Sequence, residues 1–513
     1  MVDESKTGWL TLIIVTLSVF IIVIDKTFLN VAISALIRDL NTNISTIQSI
    51  IAIYSLIMAS LMIPGGKLQN ILGRKKTFLI GSFIYGVGTI VAATSINSTM
   101  LLLGWSILEG VGAALMMPAT VSIISGSYSG EKRAFALGII SSMASGAGTV
   151  GPILGGFLTA YYTWRYAFAL ELVVIIVIFL FSREISPFPP IAKWSDFDIL
   201  GAIFSASGIF LIVMGILLLN EPKNWSMTPY FIIAGLVLLI TFYFYQKNRI
   251  KSHKSPLLDI TLFKQSMFTL GNVTRLIMNF TIGGVIFVIP VYLQLVLGAD
   301  PLTTGLSLIP LSLGIFILSF TAGKVSKLMQ PRYILSLGFL ASMAGSIYLN
   351  VIFSPYTTIL DMMPGILFLG IGMGIVFPHS ANIIFSVARQ EQQPDASGVM
   401  NTGINLGSAL GTAVLGVILI LGSFGSLTMG SGGYPSTSQL KINDIPGELG
   451  FGGSIALNEA NVAPNPANLK KIGTMKDAFN VVTIVLLIGL LSSLLIPAPK
   501  RAPKPAECVS TTI

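Results

Sequence analysis

The chain has 513 residues, of which 53% are hydrophobic and 10% are charged, and its formal net charge at pH 7 is +9. Soluble domains carry roughly 25% charged residues, so this composition excludes a soluble globular domain and indicates a polytopic membrane protein. With two His and one Cys, the sequence offers no cluster at metal-ligand or nucleophile spacing. It therefore predicts neither an enzyme nor a metal site or cofactor.

Apolar blocks separated by polar breaks predict fourteen membrane-spanning helices, because a helix needs about 20 apolar residues to cross a bilayer. Six are expected near residues 9–34, 46–69, 77–97, 100–123, 135–161 and 164–183. Two more are expected near 197–219 and 229–247, and six again near 269–297, 302–323, 332–352, 358–388, 395–421 and 477–497. The predicted fold class is all-α integral membrane. The first stretch is too long for a signal peptide and is expected to be retained.

The distribution of Lys and Arg predicts the orientation of these spans. Both residues favour cytoplasmic loops, and a cytoplasmic N-terminus places most of the 30 Lys and Arg in such loops or at the two chain ends. We therefore expect a multi-pass protein of the cell (plasma or inner) membrane with both termini in the cytoplasm. Because topology accounts for the positive charge, nucleic acid is not expected as a partner.

The first span carries Asp25 beside Lys26 within an apolar stretch. An ionisable side chain deep in a membrane helix costs at least ~2.5–3.5 kcal/mol on insertion scales, so it usually faces a wet cavity or a partner. Glu109 on the fourth span lies at the same depth as Asp25, ~13 Å from the outer surface at ~1.5 Å per residue. Asp25 and Glu109 are therefore candidates for a pair that binds protons or cations. The alternatives are a salt bridge of Asp25 with a basic neighbour and a structural hydrogen bond of Glu109. Lys26 points about 100° away around the helix and is a poor partner for Asp25.

Two glycine motifs punctuate the first half. The loop after the second span contains Gly66, Asn70, Gly73, Arg74 and Lys75, a gating motif or simply a set of basic topology anchors. The fifth span contains a Gly-Pro-x-x-Gly-Gly run at Gly151, Pro152, Gly155 and Gly156. Gly lets a neighbouring backbone approach and Pro bends a helix, which plain helix packing would already explain.

Faint internal repeats suggest duplicated halves. The motif at 65–76 has an echo at 323–332, eight spans later, and the glycines of the fifth span have one in the thirteenth. This offset fits a first six-helix bundle at 1–190, two inserted helices with a basic cytoplasmic loop at 191–264, and a second six-helix bundle at 265–498. The second bundle includes an irregular extracytoplasmic loop at 422–476, expected to be a tolerated insertion or a lid. A cytoplasmic tail follows at 499–513.

At these residues the chain resembles the major facilitator superfamily, and specifically its fourteen-helix drug:proton antiporter branch. Residues 25–32, DKTFLNVA, are similar to the branch's helix 1 signature, and the two glycine motifs are similar to its loop 2–3 and helix 5 signatures. The resemblance implies the major facilitator fold and export of small amphipathic, cationic compounds by proton antiport and alternating access. It implies that the helix 5 motif works as a rocking contact between the halves. The expected partners are the substrate, protons and the lipid bilayer, and the expected functional unit is a monomer.

The same resemblance implies that helices 1 and 4 line a central cavity. Asp25 and Glu109 would then face the same water, and burial with mutual repulsion would favour holding either a proton or a cationic substrate.

The sequence also departs from the branch at positions that handle charge. Asn70 stands in the acidic position of the loop 2–3 signature, and Ile71 stands in the following basic position. In helix 4 the signature has an Arg four residues before Gly110, where this chain has Ser106. A proton-independent facilitator, or a lipid or metabolite exporter on the same fold, is therefore the alternative function.

Further polar residues lie within predicted spans and are secondary candidates for the site. Each has a bland alternative: a contact between helices for Glu171, an interfacial position for Arg275, and packing hydrogen bonds for the asparagines. These candidates are Glu171, Asn272, Arg275, Asn279, Asn401 and Asn405.

Overall fold

A computed structural model describes residues 9–128, 130–190, 193–220, 222–252, 254–295, 297–325, 329–354, 357–389, 392–424 and 466–497. Most of the predicted loop 422–476, all of the tail 499–513 and part of the echoed motif 323–332 lie outside these residues.

Helices account for the regular secondary structure of the described residues. In the first half they are α1 (Trp9–Phe28), α2 (Ile33–Asp39), α3 (Ile44–Leu72), α4 (Arg74–Ala93), α5 (Ser98–Leu101), α6 (Gly110–Ser127), α7 (Gly130–Tyr161) and α8 (Arg165–Leu180). Two helices follow, α9 (Ile199–Leu217) and α10 (Thr228–Lys251). The second half contains α11 (Ser266–Leu295), α12 (Pro301–Ser307), α13 (Ile309–Val325), α14 (Pro331–Ile352), α15 (Ile359–Ser386), α16 (Gln393–Phe424) and α17 (Pro466–Leu494).

Twelve helices of the described chain are long and apolar enough to cross a membrane. They coincide with the first four predicted spans and with the seventh to the fourteenth, which confirms an all-helical membrane protein. Helices α7 and α8 occupy the positions of the predicted fifth and sixth spans, and α8 has 16 residues. The total of fourteen spans stays a prediction.

The helices before residue 190 and those after residue 265 form two packed groups. In the first group α1 packs against α7 and α8, while α4 packs against α6 and α8. In the second group α11 packs against α15, α16 and α17, and α14 packs against α15 and α17. The grouping follows the duplicated pattern of the sequence, although the domain boundaries themselves stay predictions.

The two helices between the groups lie beside the seam that joins them. Helix α9 packs against both α3 and α16, and α10 packs against α9. Buried Asp198 caps α9 by accepting a hydrogen bond from the Gly201 amide at 3.0 Å, and it also accepts one from Gln246 Nε2 of α10 at 2.6 Å. Arg249 Nη1 of α10 lies 3.5 Å from Asp198 Oδ1 as well, so these polar contacts fix the register of α9 and α10.

The two groups meet along α3 with α16 and along α7 with α12 and α13. At the end of the molecule where α1 stops, Gln294 Nε2 of α11 donates to the Val31 carbonyl oxygen at 2.7 Å, and the Ser34 amide donates back to Gln294 Oε1 at 3.0 Å. One amide side chain therefore ties the two groups together at this end.

Candidate functional site

A cavity of about 840 Å³ lies between the two groups of helices. Ligand sites commonly enclose about 300–1,000 Å³ and combine apolar walls with a few polar groups, and this cavity has both. Isoleucine, leucine and phenylalanine side chains supply much of its wall. Its polar and charged lining includes Lys26, Asn30, Tyr54, Ser55, Trp105, Arg275, Asn279, Asn401, Asn405, Ser408 and Thr412.

The charged side chains on the described cavity wall are both cations. Lys26 Nζ donates a hydrogen bond to Asn405 Oδ1, which joins α1 to α16 across the two groups. Arg275 donates one to the Phe377 carbonyl oxygen, and its guanidinium carbon lies 4.7 Å from the centre of the Phe377 ring. The cavity is therefore apolar with two positive charges.

A cluster of three acids lies in the first group of helices. One carboxylate oxygen each from Asp25, Glu109 and Glu171 falls within 4.8 Å of the others. The side chains are 0%, 0% and 2% exposed, respectively. Carboxylates this close repel one another when ionised, so a proton held among them lowers the electrostatic energy of the cluster. The sequence predicted a shared depth for Asp25 and Glu109, and the structure adds Glu171 to them.

Few hydrogen bonds satisfy this cluster. Trp105 Nε1 donates to Asp25 Oδ1 at 2.6 Å, and the Tyr85 hydroxyl donates to Glu171 Oε2 at 3.1 Å. The other oxygens of Asp25 and Glu171 and both oxygens of Glu109 are buried without a hydrogen-bond partner among the described residues. A buried carboxylate without donors is costly when ionised, so the chemistry of this cluster suits proton binding.

Two aromatic rings separate the acids from the cavity. Tyr54 and Trp105 stack with centroids 4.8 Å apart and planes 8° apart, and both line the cavity. Asp25 and Glu109 do not line it. The expectation that these two carboxylates face the cavity is therefore wrong for this structure, because Trp105 covers Asp25 from that side.

Glu109 reaches the cluster from an irregular helix. The segment Leu102–Glu109 is π-helical and continues into α6. Helix α4 packs tightly against it, since a Cβ atom on Gly88 would lie 2.7 Å from the Glu109 amide nitrogen. π-helical turns are rare and occur often at functional sites. The sequence predicted a plain span here, and no residue pattern in it signalled the wider turn.

Comparison with known proteins decides the family. The sequence matches the Major Facilitator Superfamily over residues 15–196 and again over 195–412. The chain belongs to the major facilitator superfamily. The first match ends after the first group of helices, and the second match includes α9 and α10 together with most of the second group.

Relatives and solved structures agree with this membership. Over 420 residues, the chain is 25% identical to the methylenomycin A resistance protein of Bacillus subtilis, covering 82% of this chain and 89% of that one. It is 27% identical over 412 residues to the multidrug efflux pump LfrA of Mycolicibacterium smegmatis, covering 80% and 81%. A peptide transporter crystallised with sulfate has the same fold, with a TM-score of 0.65, 13% identity and coverage of 96% and 98%. These relatives are transporters, which confirms that the chain is not an enzyme.

The helix 5 motif of this superfamily member divides between two contacts. A Cβ atom on Gly155 would lie 2.6 Å from Phe28 Cβ, and one on Gly151 would overlap the Thr27 side chain, so both glycines admit α1 of the same group. A Cβ atom on Gly156 would lie 2.6 Å from the Pro301 carbonyl oxygen of α12 in the other group. A Cβ atom on Gly305 of α12 would likewise overlap the Pro152 carbonyl oxygen. One half of the motif thus packs within a group, and the other half packs between groups.

The loop 2–3 motif packs at the opposite end of the first group. Gly73 has φ +88°, and a Cβ atom there would lie 2.5 Å from the Phe188 carbonyl oxygen, so only glycine fits well. Arg74 donates to the Ser122 carbonyl oxygen at 2.5 Å, and Lys75 donates to the Ile185 carbonyl oxygen at 2.8 Å. These bonds hold the loop to its own group. Gly66 and Asn70 are half-buried near the end of α3.

An ion pair beside this motif joins the two groups. Lys67 Nζ of α3 lies 2.9 Å from Asp395 Oδ1 of α16, with side chains 24% and 11% exposed. Asp395 Oδ2 also accepts a hydrogen bond from the Asp259 amide at 3.0 Å, and Gln392 Nε2 donates to Asp259 Oδ2 at 2.7 Å. Burial alone would raise the pKa of Asp259, but hydrogen bonds from Thr261 and Gln392 and the charge of Lys67 hold it below its usual value.

The predicted asparagines have different positions. Asn279, Asn401 and Asn405 line the cavity, and each donates its amide to the carbonyl oxygen four residues earlier in its own helix. Asn272 makes the same bond to Phe268 and does not line the cavity. Lys26, Trp105 and Tyr85 were not predicted as site residues. The 100° angle between Lys26 and Asp25 on α1 was the available signal that Lys26 faces elsewhere.

Proposed function

We propose that the chain exports small amphipathic compounds by proton antiport through alternating access. The observation that carries this is the buried carboxylate cluster of Asp25, Glu109 and Glu171, one aromatic layer away from a cavity between the two groups of helices. Acids inside membrane helices mark proton relays and substrate pathways. Similarity to a resistance protein and an efflux pump supports the export direction. The pair α9 and α10 between the groups supports the fourteen-helix branch.

The proton would bind to the acid cluster, and the stacked rings of Tyr54 and Trp105 would transmit the effect of its binding to the cavity. Gain or loss of a proton changes the charge on Asp25, and Trp105 donates its indole hydrogen to that carboxylate while lining the cavity. A change at Asp25 therefore alters the position of a cavity wall without direct contact between proton and substrate. Tyr54, stacked on Trp105, would move with it.

Alternating access would use the two seams between the groups. At one end Gly156 lies against Pro301, and at the other end Lys67 pairs with Asp395. Rocking one group against the other must open one of these contacts at a time. The protein would work as a monomer in the cell membrane, with both termini in the cytoplasm.

The expected cationic charge of the substrate finds no support on the cavity wall. A carboxylate on the wall would supply the counter-charge for a bound cation, and the described lining has none. The described wall instead carries Lys26 and Arg275.

A facilitator without proton coupling is the second candidate, and Ser106 favours it. Where the antiporter branch has an Arg, Ser106 donates its hydroxyl to the Ile50 carbonyl oxygen at 2.8 Å. This is a packing bond between helices, and it leaves the acid cluster without a basic partner on that helix.

Reconstitution into liposomes with an imposed pH gradient separates the two candidates. Antiport predicts that the gradient drives substrate movement and that substrate movement causes a measurable proton flux. Asp25→Asn should abolish both, while Glu184→Gln, which alters an exposed carboxylate, should change neither. Substrate movement that ignores the gradient in the unaltered protein would establish the facilitator instead.

A further inference from the structure

The two cavity cations have unused hydrogen-bond donors. A lysine ammonium has three donors and an arginine guanidinium has five. Lys26 uses one on Asn405, and Arg275 uses one on the Phe377 carbonyl oxygen. Arg275 Nε is buried without a hydrogen-bond partner among the described residues. Both side chains therefore have donors left for another group in the cavity.

The same two cations have no counter-ion in direct contact among the described residues. Neither forms an ion pair within 4.0 Å in the part of the chain that the structure describes. Asp25 directly precedes Lys26 on α1, but its carboxylate lies in the acid cluster, where it accepts a hydrogen bond from Trp105. Charged groups at membrane depth are normally paired, so an anion in the cavity would complete this arrangement.

The apolar part of the cavity lining indicates what the uncharged part of such an anion would be. Ile282, Ile286, Leu311, Ile315 and Phe316 are among the apolar side chains that line the cavity, and all belong to the second group of helices. Arg275, on the same helix as Ile282, lies over the Phe377 ring. An apolar or aromatic body would contact these side chains while its anionic group bonds the two cations.

We infer that the compounds transported through this cavity are amphipathic organic anions, whose charged group binds to Lys26 and Arg275. The inference depends on the proposed function for its transport part only, since binding can be measured without a gradient. Guanidinium and ammonium groups bind carboxylate, sulfonate and phosphate oxygens through charge-assisted hydrogen bonds. The anion would bind to Lys26 and Arg275, and the proton would bind to the acid cluster. Their exchange would therefore be coupled through Trp105 rather than by competition for one carboxylate.

Three naphthalene compounds test the charge preference. They are 1-naphthalenesulfonate, 1-naphthalenesulfonamide and 1-naphthyltrimethylammonium, which share one aromatic body and are anionic, neutral and cationic. Isothermal titration of the purified full chain at pH 7 should show tightest binding for the sulfonate. Equal binding of all three, preference for the ammonium, or no sulfonate binding would overturn the inference.

Two substitutions test the assigned residues. Lys26→Gln and Arg275→Gln should each weaken sulfonate binding by about tenfold or more, the usual effect of losing a hydrogen bond between charged groups. Binding of the neutral sulfonamide should stay the same, which also shows that each variant is folded. Lys26→Arg should keep most of the sulfonate affinity. Unchanged sulfonate binding in both Gln variants would overturn the assignment.

Exposed cations provide matched controls, and liposomes separate this inference from the proposed function. Lys264→Gln and Arg183→Gln remove exposed charges and should leave sulfonate binding unaltered. Sulfonate binding without any gradient-driven transport would contradict proton antiport and keep the anion site. Gradient-driven transport of the ammonium alone would keep proton antiport and contradict the anion site.

Discussion

Asp25 and Lys26 are consecutive residues of α1, yet the Asp25 side chain lies in the acid cluster and the Lys26 side chain lines the cavity. The Asp25 carboxylate is buried in the acid cluster and accepts the Trp105 indole hydrogen. The Lys26 ammonium lines the cavity and donates to Asn405 of α16. Successive residues of a helix point about 100° apart, so one turn of α1 presents an acid to its own group and a cation to the seam. This arrangement separates the proposed proton site from the proposed substrate site, although the two residues are consecutive.

Removing one acid should identify the residues that bind the proton. Both Glu109 oxygens lack a hydrogen-bond partner among the described residues, so Glu109→Gln removes a site for the proton and much of the charge repulsion. We expect the gradient-driven part of transport to fall to the rate measured without a gradient. Proteoliposomes with an internal pH dye measure this directly. Full transport with an unshifted pH profile in this variant would exclude Glu109 from proton coupling.

Removing a donor to the cluster should change its pH response and weaken the fold. Trp105→Phe deletes the hydrogen bond to Asp25 and keeps an aromatic ring for Tyr54 to stack on. We expect a loss of about 1–3 kcal/mol in the free energy of unfolding, the usual cost of leaving a buried polar group unsatisfied, together with a shifted pH profile of transport. Thermal unfolding and proton-flux assays measure the two effects. Trp225→Phe also deletes an indole hydrogen bond, to the Leu219 carbonyl oxygen, but at an exposed position, so this control should show neither effect.

Sequence reasoning found the spans and the shared depth of two acids because hydropathy and helix rise depend on residue type and spacing alone. It placed Gly156 at a contact between halves only through resemblance, since a glycine does not reveal which neighbour approaches it. It missed the aromatic layer, because Trp105 and Tyr54 belong to different spans and their stacking depends on the three-dimensional packing of α3 against the π-helical segment. It also expected Asp25 rather than Lys26 to face the cavity, because the side of α1 that faces the seam depends on that same packing.

Filling the space at Gly156 should bias the conformational equilibrium. In Gly156→Ala the new methyl group would lie 2.6 Å from the Pro301 carbonyl oxygen, so closure of this end becomes unfavourable and the opposite conformation should gain population. Distances between spin labels at exposed Tyr161 of α7 and half-buried Thr303 of α12 should lengthen. Gly146→Ala on the same helix is the matched control, because nothing lies within 4 Å of its added Cβ atom. Identical distance distributions in the two variants would show that Gly156 does not govern closure.

Breaking the ion pair at the other seam should favour opening of that end, and pH should act in a defined direction. Lys67→Gln removes the partner of Asp395 at 2.9 Å, and spin labels placed near the ends of α3 and α16 should move apart relative to the unaltered protein. Asp259 adds a pH dependence, since its pKa is held below its usual value by Thr261, Gln392 and Lys67 against the opposing effect of burial. A lowered carboxylate pKa contributes stability above the ordinary aspartate value of about 3.9, and that stability is lost as the pH falls through the lower folded-state value. The label distance should therefore stay constant from neutral pH down to about pH 4 and lengthen only below it. Lys264→Gln controls for loss of a positive charge, and lengthening that begins near neutral pH would show that another group controls this seam.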